Sequence, residues 1–418
     1  MSGEKQVSDN TKLYEEKRNR VLTAVSGGQP DRVPNAVRVG SYAYRKTDIT
    51  MAETMVDHER ACKINFEFFE KHPTFDTATI ANAIPSAKVM EYLGVKTARW
   101  PGDAKGLDVN NSYQFLEFPT LLEDEYDEMF DDAAGFLFRK YLPRTMELFE
   151  PFEDINFMSM IGSGARLYFT DPKRIPAYKK LIAACEETEY MQRTQRTYEQ
   201  KLRDLGFYTI NGKGSAMAFD MLADGLRGTF GMMPDLILQR DNVKRALDKF
   251  VHFHIQNSLT AKKPSGEESY AWVMLHKGFD NFISEQDYAE LYWPYLQQWI
   301  LALIDNGITP VVYTEGSYNT RLKFLKDVPK GKVIYHFEEV DIKLAKKEIG
   351  DVACIMGGFP NYTVSYGTPK EIDEKVKETI DILAPGGGYI FATGYSIEDC
   401  PEENMEALLS AIEKYGKY

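Results

Sequence analysis

The stretch VVYTEGSYNTRLKFLKDVPKGKVIYHFEEVD, residues 311–341, decides the fold. Two short apolar runs flank a segment with helical spacing. The first run stops on Glu315 and Gly316, and the second carries His336 before two further glutamates. The same alternation extends both ways. YAWVMLHKG (270–278) precedes a helical pattern at 284–305, and ITPVVYTEG (308–316) precedes YNTRLKFLKD. KVIYHFEE leads to DIKLAKKEIG, ACIMGG leads to a helix near 368–385, and GYIFATG leads to a last helix over 403–416. Five short apolar strands, each followed by a helix, imply a parallel sheet. An open doubly wound sheet would carry a glycine-rich phosphate turn after its first strand. Neither GxGxxG nor GxxxxGK[ST] occurs, and PGGGY at 385–389 precedes a strand, where a helix stop and a turn are needed. The pattern therefore predicts an α/β chain folded as a (β/α)8 TIM barrel, whose functional groups lie at the C-terminal ends of the strands. His276, Glu315, His336, Gly357–Gly358 and Tyr395 fall at such ends.

Upstream, residues 1–12 read as a disordered tail. TKLYEEKRNRVLTAVSGG (11–28) reads as a helical extension stopped by Gly27–Gly28. PDRVPNAVRVGSYA enters a strand, 50–72 and 174–206 are helical, FYTIN is strand-like, and GKGSAMA reads as a loop. Residues 84–150 are irregular and are expected to form an insertion or lid. The expectation is a single barrel domain over 1–418.

The chain has 418 residues, 43% of them hydrophobic, enough for a large core. Its formal charge of −13 argues against a broad phosphate-binding surface, so nucleic acid is not an expected partner. Cys62, Cys185, Cys354 and Cys400 lie far apart without zinc-ribbon spacing, as in a reduced compartment. The polar opening residues lack the apolar core of a secretory signal, and no apolar run has membrane-span length. A cytoplasmic location without membrane association is expected, and a homo-oligomer is compatible with it.

A carboxylate ending a buried strand can serve as a general base, a metal ligand or half of an ion pair. His336 ends the next strand, and neighbouring strands run ~4.8 Å apart. Glu315 and His336 are thus expected to reach one zinc ion, with His276 as a third ligand. Tyr313 and Tyr395 are candidate proton or hydrogen-bond donors beside Glu315. Arg38, Tyr42, Tyr44 and Asp220 are the candidate substrate-binding residues. Asp220 and Asp224 stand one helical turn apart, as solvated pairs commonly do, with Arg227 near enough in sequence to pair with either. His58, His72, His252 and His254 are expected on helices, in packing or surface roles.

GGQPDRVPNAVRVG (27–40), LRGTFGMMPDLILQRDNVKRALDKF (226–250) and the run from FLKDVPKGKVIYHFEEVD to the C-terminus resemble uroporphyrinogen decarboxylase-like proteins. The resemblance is good over about 200–418, recognisable at 16–45 and poor at 84–150. It implies a (β/α)8 barrel. True decarboxylases of that superfamily carry an arginine-rich PPVWxMRQAGR motif on strand one and an aspartate that grips pyrrole nitrogens. Here VPNAVRVGSYAYR keeps only Arg38 and Arg45. The other branch, the cobalamin-dependent methyltransferases, includes enzymes that methylate coenzyme M through a His-x-Cys and later Cys zinc set. Tyr313, Glu315 and about Tyr395 occupy those places here. Relatives that demethylate aryl methyl ethers bind zinc through Glu and His, and Glu315 with His336 is similar to that spacing. Ile300 stands where a further carboxylate would be sought. The resemblance thus implies transfer of a methyl group from a methyl ether, possibly aromatic, to the cob(I)alamin of a separate corrinoid protein, with zinc as Lewis acid. The alternative is a metal-free decarboxylase of a smaller carboxylated substrate, held by Arg38 or Arg45.

Overall fold

The protein is described from a computed structural model. It covers the backbone of residues 2–8 and all atoms of 9–80, 86–264 and 266–418. Residues 84–85, at the head of the expected insertion, lie outside the described residues. Six parallel strands form a sheet in chain order: Lys213–Ala216, Tyr270–Leu275, Thr309–Ser317, Ile334–Glu339, Cys354–Gly357 and Tyr389–Ile390. Two further segments close it. Asn35 and Val39 form parallel bridges to Phe391 and Ile397. The Asn35 carbonyl accepts from the Asp76 and Thr77 amides at 2.9 and 3.3 Å. Thr77 in turn bridges Tyr208 at the start of the segment that leads into Lys213–Ala216. The eight segments thus complete a barrel, as the alternation predicts.

Alternation within each strand sorts side chains between two cores. Outward residues such as Val312, Tyr335 and Ile355 pack under the helices. Inward residues Tyr208, Tyr270, Val311, Ile334, Cys354 and Ile390 form a separate interior cluster, closed below by Val21, Ala24 and Val25. These last three belong to the helix Ser2–Val25. The disordered tail expected at 1–12 is therefore a misassignment, since the helix begins at Ser2. Its early turns are anchored to the long helix Ile175–Asp204 and to the barrel. The Asn10 amide donates to the Asp204 carbonyl at 2.8 Å, and Tyr14 meets Tyr208 edge-on. Buried Asp76 fixes the same end of the barrel, taking Arg20, Arg32 and the Asn35 amide as donors.

GKGSAMA is also a correction. Residues 213–216 are a strand, because pairing with Ala271–Met274 supplies the ladder that their small side chains do not favour. The irregular region carries short helices and one antiparallel ribbon, Ala98–Arg99 with Gln114–Phe115. It reaches the C-terminal mouth of the barrel, where the Thr120 amide donates to the Leu226 carbonyl at 2.7 Å. Among the described residues, no helix is long and apolar enough to cross a membrane.

Candidate functional site

The strand Thr309–Ser317 does not simply end on Glu315. Its register with Ile334–Glu339 shifts between Thr314 and Ser317. Gly316 adopts φ +75°, and its amide donates to Glu338 Oε2 at 2.7 Å. This bulge sits at the barrel mouth, as bulges beside active sites commonly do. It leaves Glu315 half-buried, next to His276 at the end of Tyr270–Leu275.

His276 is held from both sides. Its Nδ1 lies 2.7 Å from Asp224 Oδ2, and its Nε2 lies 3.7 Å from Glu315 Oε1. The hydrogen bond to Asp224 outweighs burial and, with the Glu315 and Asp220 charges, raises the imidazole to about 9. His276 is therefore an imidazolium at neutral pH. Burial raises the Glu315 carboxyl, His276 opposes that rise, and the nearby charges of Glu338 and Asp224 add to it. Lys277 completes the group, with its ammonium 3.0 Å from Asp224 Oδ1 and 3.5 Å from Glu117 Oε2 of the inserted region.

Asp220 sits beneath this group, fully buried. It accepts from the His276 and Lys277 amides at 3.2 and 3.0 Å and from the Tyr292 hydroxyl at 2.7 Å. Burial pushes its carboxyl up to about 7. Asp220 thus fixes the backbone that presents His276 and does not line the cavity. The pair expected to be solvated is instead one buried and one half-buried carboxylate of the site. Arg227 pairs with neither of them; it binds Asp235.

A cavity of about 530 Å³ opens at the mouth, lined among others by Arg38, Tyr44, Trp272, Tyr313 and Glu315. The Arg38 guanidinium stacks over Trp272, 5.3 Å from the ring centre. Enclosure by protein lowers its pKa, although its side chain stays open to the cavity. Among the described residues no carboxylate forms an ion pair with it, so it presents a free positive charge. Tyr42 packs on Phe68 behind the wall, and Tyr395 stands exposed at the rim with its amide bound to Asn361.

The zinc set of Glu315, His336 and His276 requires correction. Parallel register pairs His336 with Tyr313, one level below Glu315. Its Nε2 lies 2.9 Å from the Thr393 carbonyl, and burial holds the ring neutral, down to about 3. Nε2 must then carry the proton as donor. The remaining lone pair, on Nδ1, is buried without a partner and closed off from the cavity. Ile300 lies fully buried in the outer helix Trp293–Asp305 and offers no replacement. Among the described residues no group of three His, Cys, Asp or Glu side chains converges as a metal site. The residues present do not fit the expected zinc.

The geometry shows what sequence spacing missed. Asp224 binds His276, Lys277 and Glu117 extend that contact, Glu338 lies beside Glu315, and Trp272 carries Arg38. The polar pair HK at the end of YAWVMLHK is the sequence signal for Lys277.

Comparison with known proteins agrees with the barrel. Residues 214–415 match the family model described as uroporphyrinogen decarboxylase (URO-D). A uroporphyrinogen decarboxylase of Chlorobaculum parvum is 28% identical over 173 residues, 39% of this chain and 47% of that protein. One from Actinobacillus pleuropneumoniae is 21% identical over 237 residues, 55% of this chain and 65% of its own length. The chain spans about half the length of the first of these relatives. A solved methyltransferase from Methanosarcina mazei superposes with a TM-score of 0.57 at 15% identity, covering 96% of this chain and 98% of that one. That likeness is one of fold. The chain is thus similar to uroporphyrinogen decarboxylases over residues 214–415, and it shares the barrel fold of the methyltransferase over nearly its whole length.

Proposed function

We propose that this protein is a methyltransferase that takes the methyl group of a carboxylated aromatic methyl ether and passes it to a corrinoid carried by a separate protein. The observation that carries the reading is the imidazolium of His276, held between Asp224 and Glu315 at the open mouth. Breaking a methyl ether leaves negative charge on oxygen, and that oxygen needs a proton as the C–O bond opens. His276 donates this proton, Asp224 keeps the ring charged until then, and Glu315 orients Nε2. Arg38 holds the substrate carboxylate, with Trp272 and Tyr313 against the ring. The reduced corrinoid supplies the nucleophile for the methyl carbon. With a proton in the place of the expected zinc, the carbon–oxygen bond breaks, the methyl group leaves to the acceptor, and the oxygen departs as a phenol.

The fold shared with the Methanosarcina mazei methyltransferase supports this reading. The unpaired Arg38 favours a second reading, metal-free decarboxylation, because it also suits a substrate carboxylate. One anaerobic experiment separates them. Methoxybenzoates are incubated with the protein and cob(I)alamin, and the methylated corrinoid absorbance and released CO2 are both followed. Methyl transfer lost in His276→Gln supports the proposal. CO2 release without any corrinoid requirement refutes it.

A further inference from the structure

We infer that the inserted region builds a second binding chamber, for a neutral single-ring phenol, on the far side of His276 from the main cavity. This chamber measures about 180 Å³, and Phe115, Phe118, Tyr141, Met146, Asp224 and Gly225 are among its lining residues. Among the described residues it shares no lining residue with the larger cavity. Side chains link the two: Glu315 borders the first, Asp224 borders the second, and His276 bridges them. The irregular insertion therefore walls a half-open space beside Asp224.

Size, polarity and charge select the ligand. An apolar cavity of ~150 Å³ accommodates benzene, so this volume suits one ring. The hydroxyls of Thr120 and Thr145 in the wall are already committed to the Gly225 and Tyr141 carbonyls, at 2.8 and 2.9 Å. Asp224 is the strongest acceptor that remains. His276 and Lys277 each occupy one of its oxygens, and a carboxylate offers ~4 lone-pair sites, so a ligand hydroxyl can be accepted as well. Among the described residues no cationic side chain lines the chamber, and the two nearest cations are taken by Asp224, so a carboxylated ring finds no unpaired counter-ion in the wall. A cationic ligand meets an Asp224 already flanked by two positive groups. Gly225 leaves the space open: a Cβ added there would meet nothing within 4 Å. It lies in the π-helical turn Ala223–Arg227, a feature frequent at functional sites.

The inference does not depend on methyl transfer, because binding is measured without turnover. Phenol, benzoate and 2-naphthol are titrated into the full chain by NMR, with Gly225→Leu and Phe118→Ala as variants. Phenol is expected to bind wild type, with contacts to the Val95 and Met146 methyl groups, and benzoate at least tenfold more weakly. Gly225→Leu should weaken phenol at least tenfold, and Phe118→Ala should admit 2-naphthol. Absence of phenol binding, contacts confined to Trp272 and Met274, benzoate binding as tight as phenol, or phenol and naphthol affinities unchanged in both variants would overturn it.

Discussion

Asp224→Asn tests the central physical claim, that one carboxylate keeps His276 charged. The substitution preserves shape and leaves an amide oxygen to accept from Nδ1, but it removes the negative charge. The hydrogen bond to Asp224 is the largest contribution to raising His276 to about 9 from an ordinary 6.5. At pH 7.5 an imidazole titrating at 9 is about 97% protonated, and one titrating at 6.5 is about 9% protonated. Glu315 and Asp220 persist in the variant and keep part of the elevation. The supply of acid at pH 7.5 should therefore fall roughly three- to tenfold, while at pH 6 the loss should be below about twofold. The assay is the pH profile of kcat/KM for methyl transfer, paired with NMR titration of the His276 ring. Stability carries the same sign. The folded state favours the imidazolium, so this contribution is full below 6.5 and is lost as pH rises through 9. Thermal stability of wild type should decline over that window more steeply than that of the variant. A His276 midpoint unmoved from 9, or a rate loss equal at pH 6 and 7.5, refutes the reasoning.

Arg38→Gln should raise KM for a carboxylated substrate by tenfold or more with little change in kcat, since a charged hydrogen bond contributes ~1.5–3 kcal/mol; a neutral analogue should be unaffected. Purified protein should hold far less than one equivalent of zinc by mass spectrometry, and chelators should leave its activity intact, because His336 has no accessible lone pair. Gly316→Ala places a side chain at φ +75° with its Cβ 3.0 Å from Phe279 Cγ. It should cost ~1–2 kcal/mol in denaturant unfolding and lower activity by moving Glu315. Asp76→Ala leaves Arg20 with Asp31 alone and strips the buried Asn35 amide of its acceptor, so it should cost ~1–3 kcal/mol without altering the pH profile.

The barrel was legible because strands buried on both faces are short and apolar, and because their helices intervene at regular spacing. YAWVML, IYHFEE and CIMG show this in sequence and form strands in the structure. The helix at 2–12 was not legible. Its sequence there is polar, and the helix is anchored by docking, as at Asn10, more than by its own pattern. The site was half legible. Strand ends located His276 and Glu315, but the shift at Glu315–Gly316 obeys no propensity, and the burial of Asp220 depends on Tyr292 some seventy residues away. Sequence distance gave Glu315 and His336 an apparent partnership that register denies.

Depth in the barrel explains why the two histidines differ. Both project inward, yet desolvation rises steeply below the mouth. At the lower level His336 is flanked by Tyr313, with ring centres 4.9 Å apart, and meets Trp272 edge-on. Among the described residues no anion pairs with it there, so the ring stays neutral and serves as a fixed donor to Thr393. At the upper level His276 meets Asp224 and Glu315, and their charges exceed the cost of partial burial. The same side chain is thus a neutral structural strut at one level and a charged partner of Asp224 at the next. Exchanging the levels would fail both ways: a charge beside Tyr313 would be expelled, and a neutral imidazole beside Asp224 would recapture a proton. The charged groups of the site therefore lie in the upper layer, above the aromatic layer of Tyr313, Trp272 and His336.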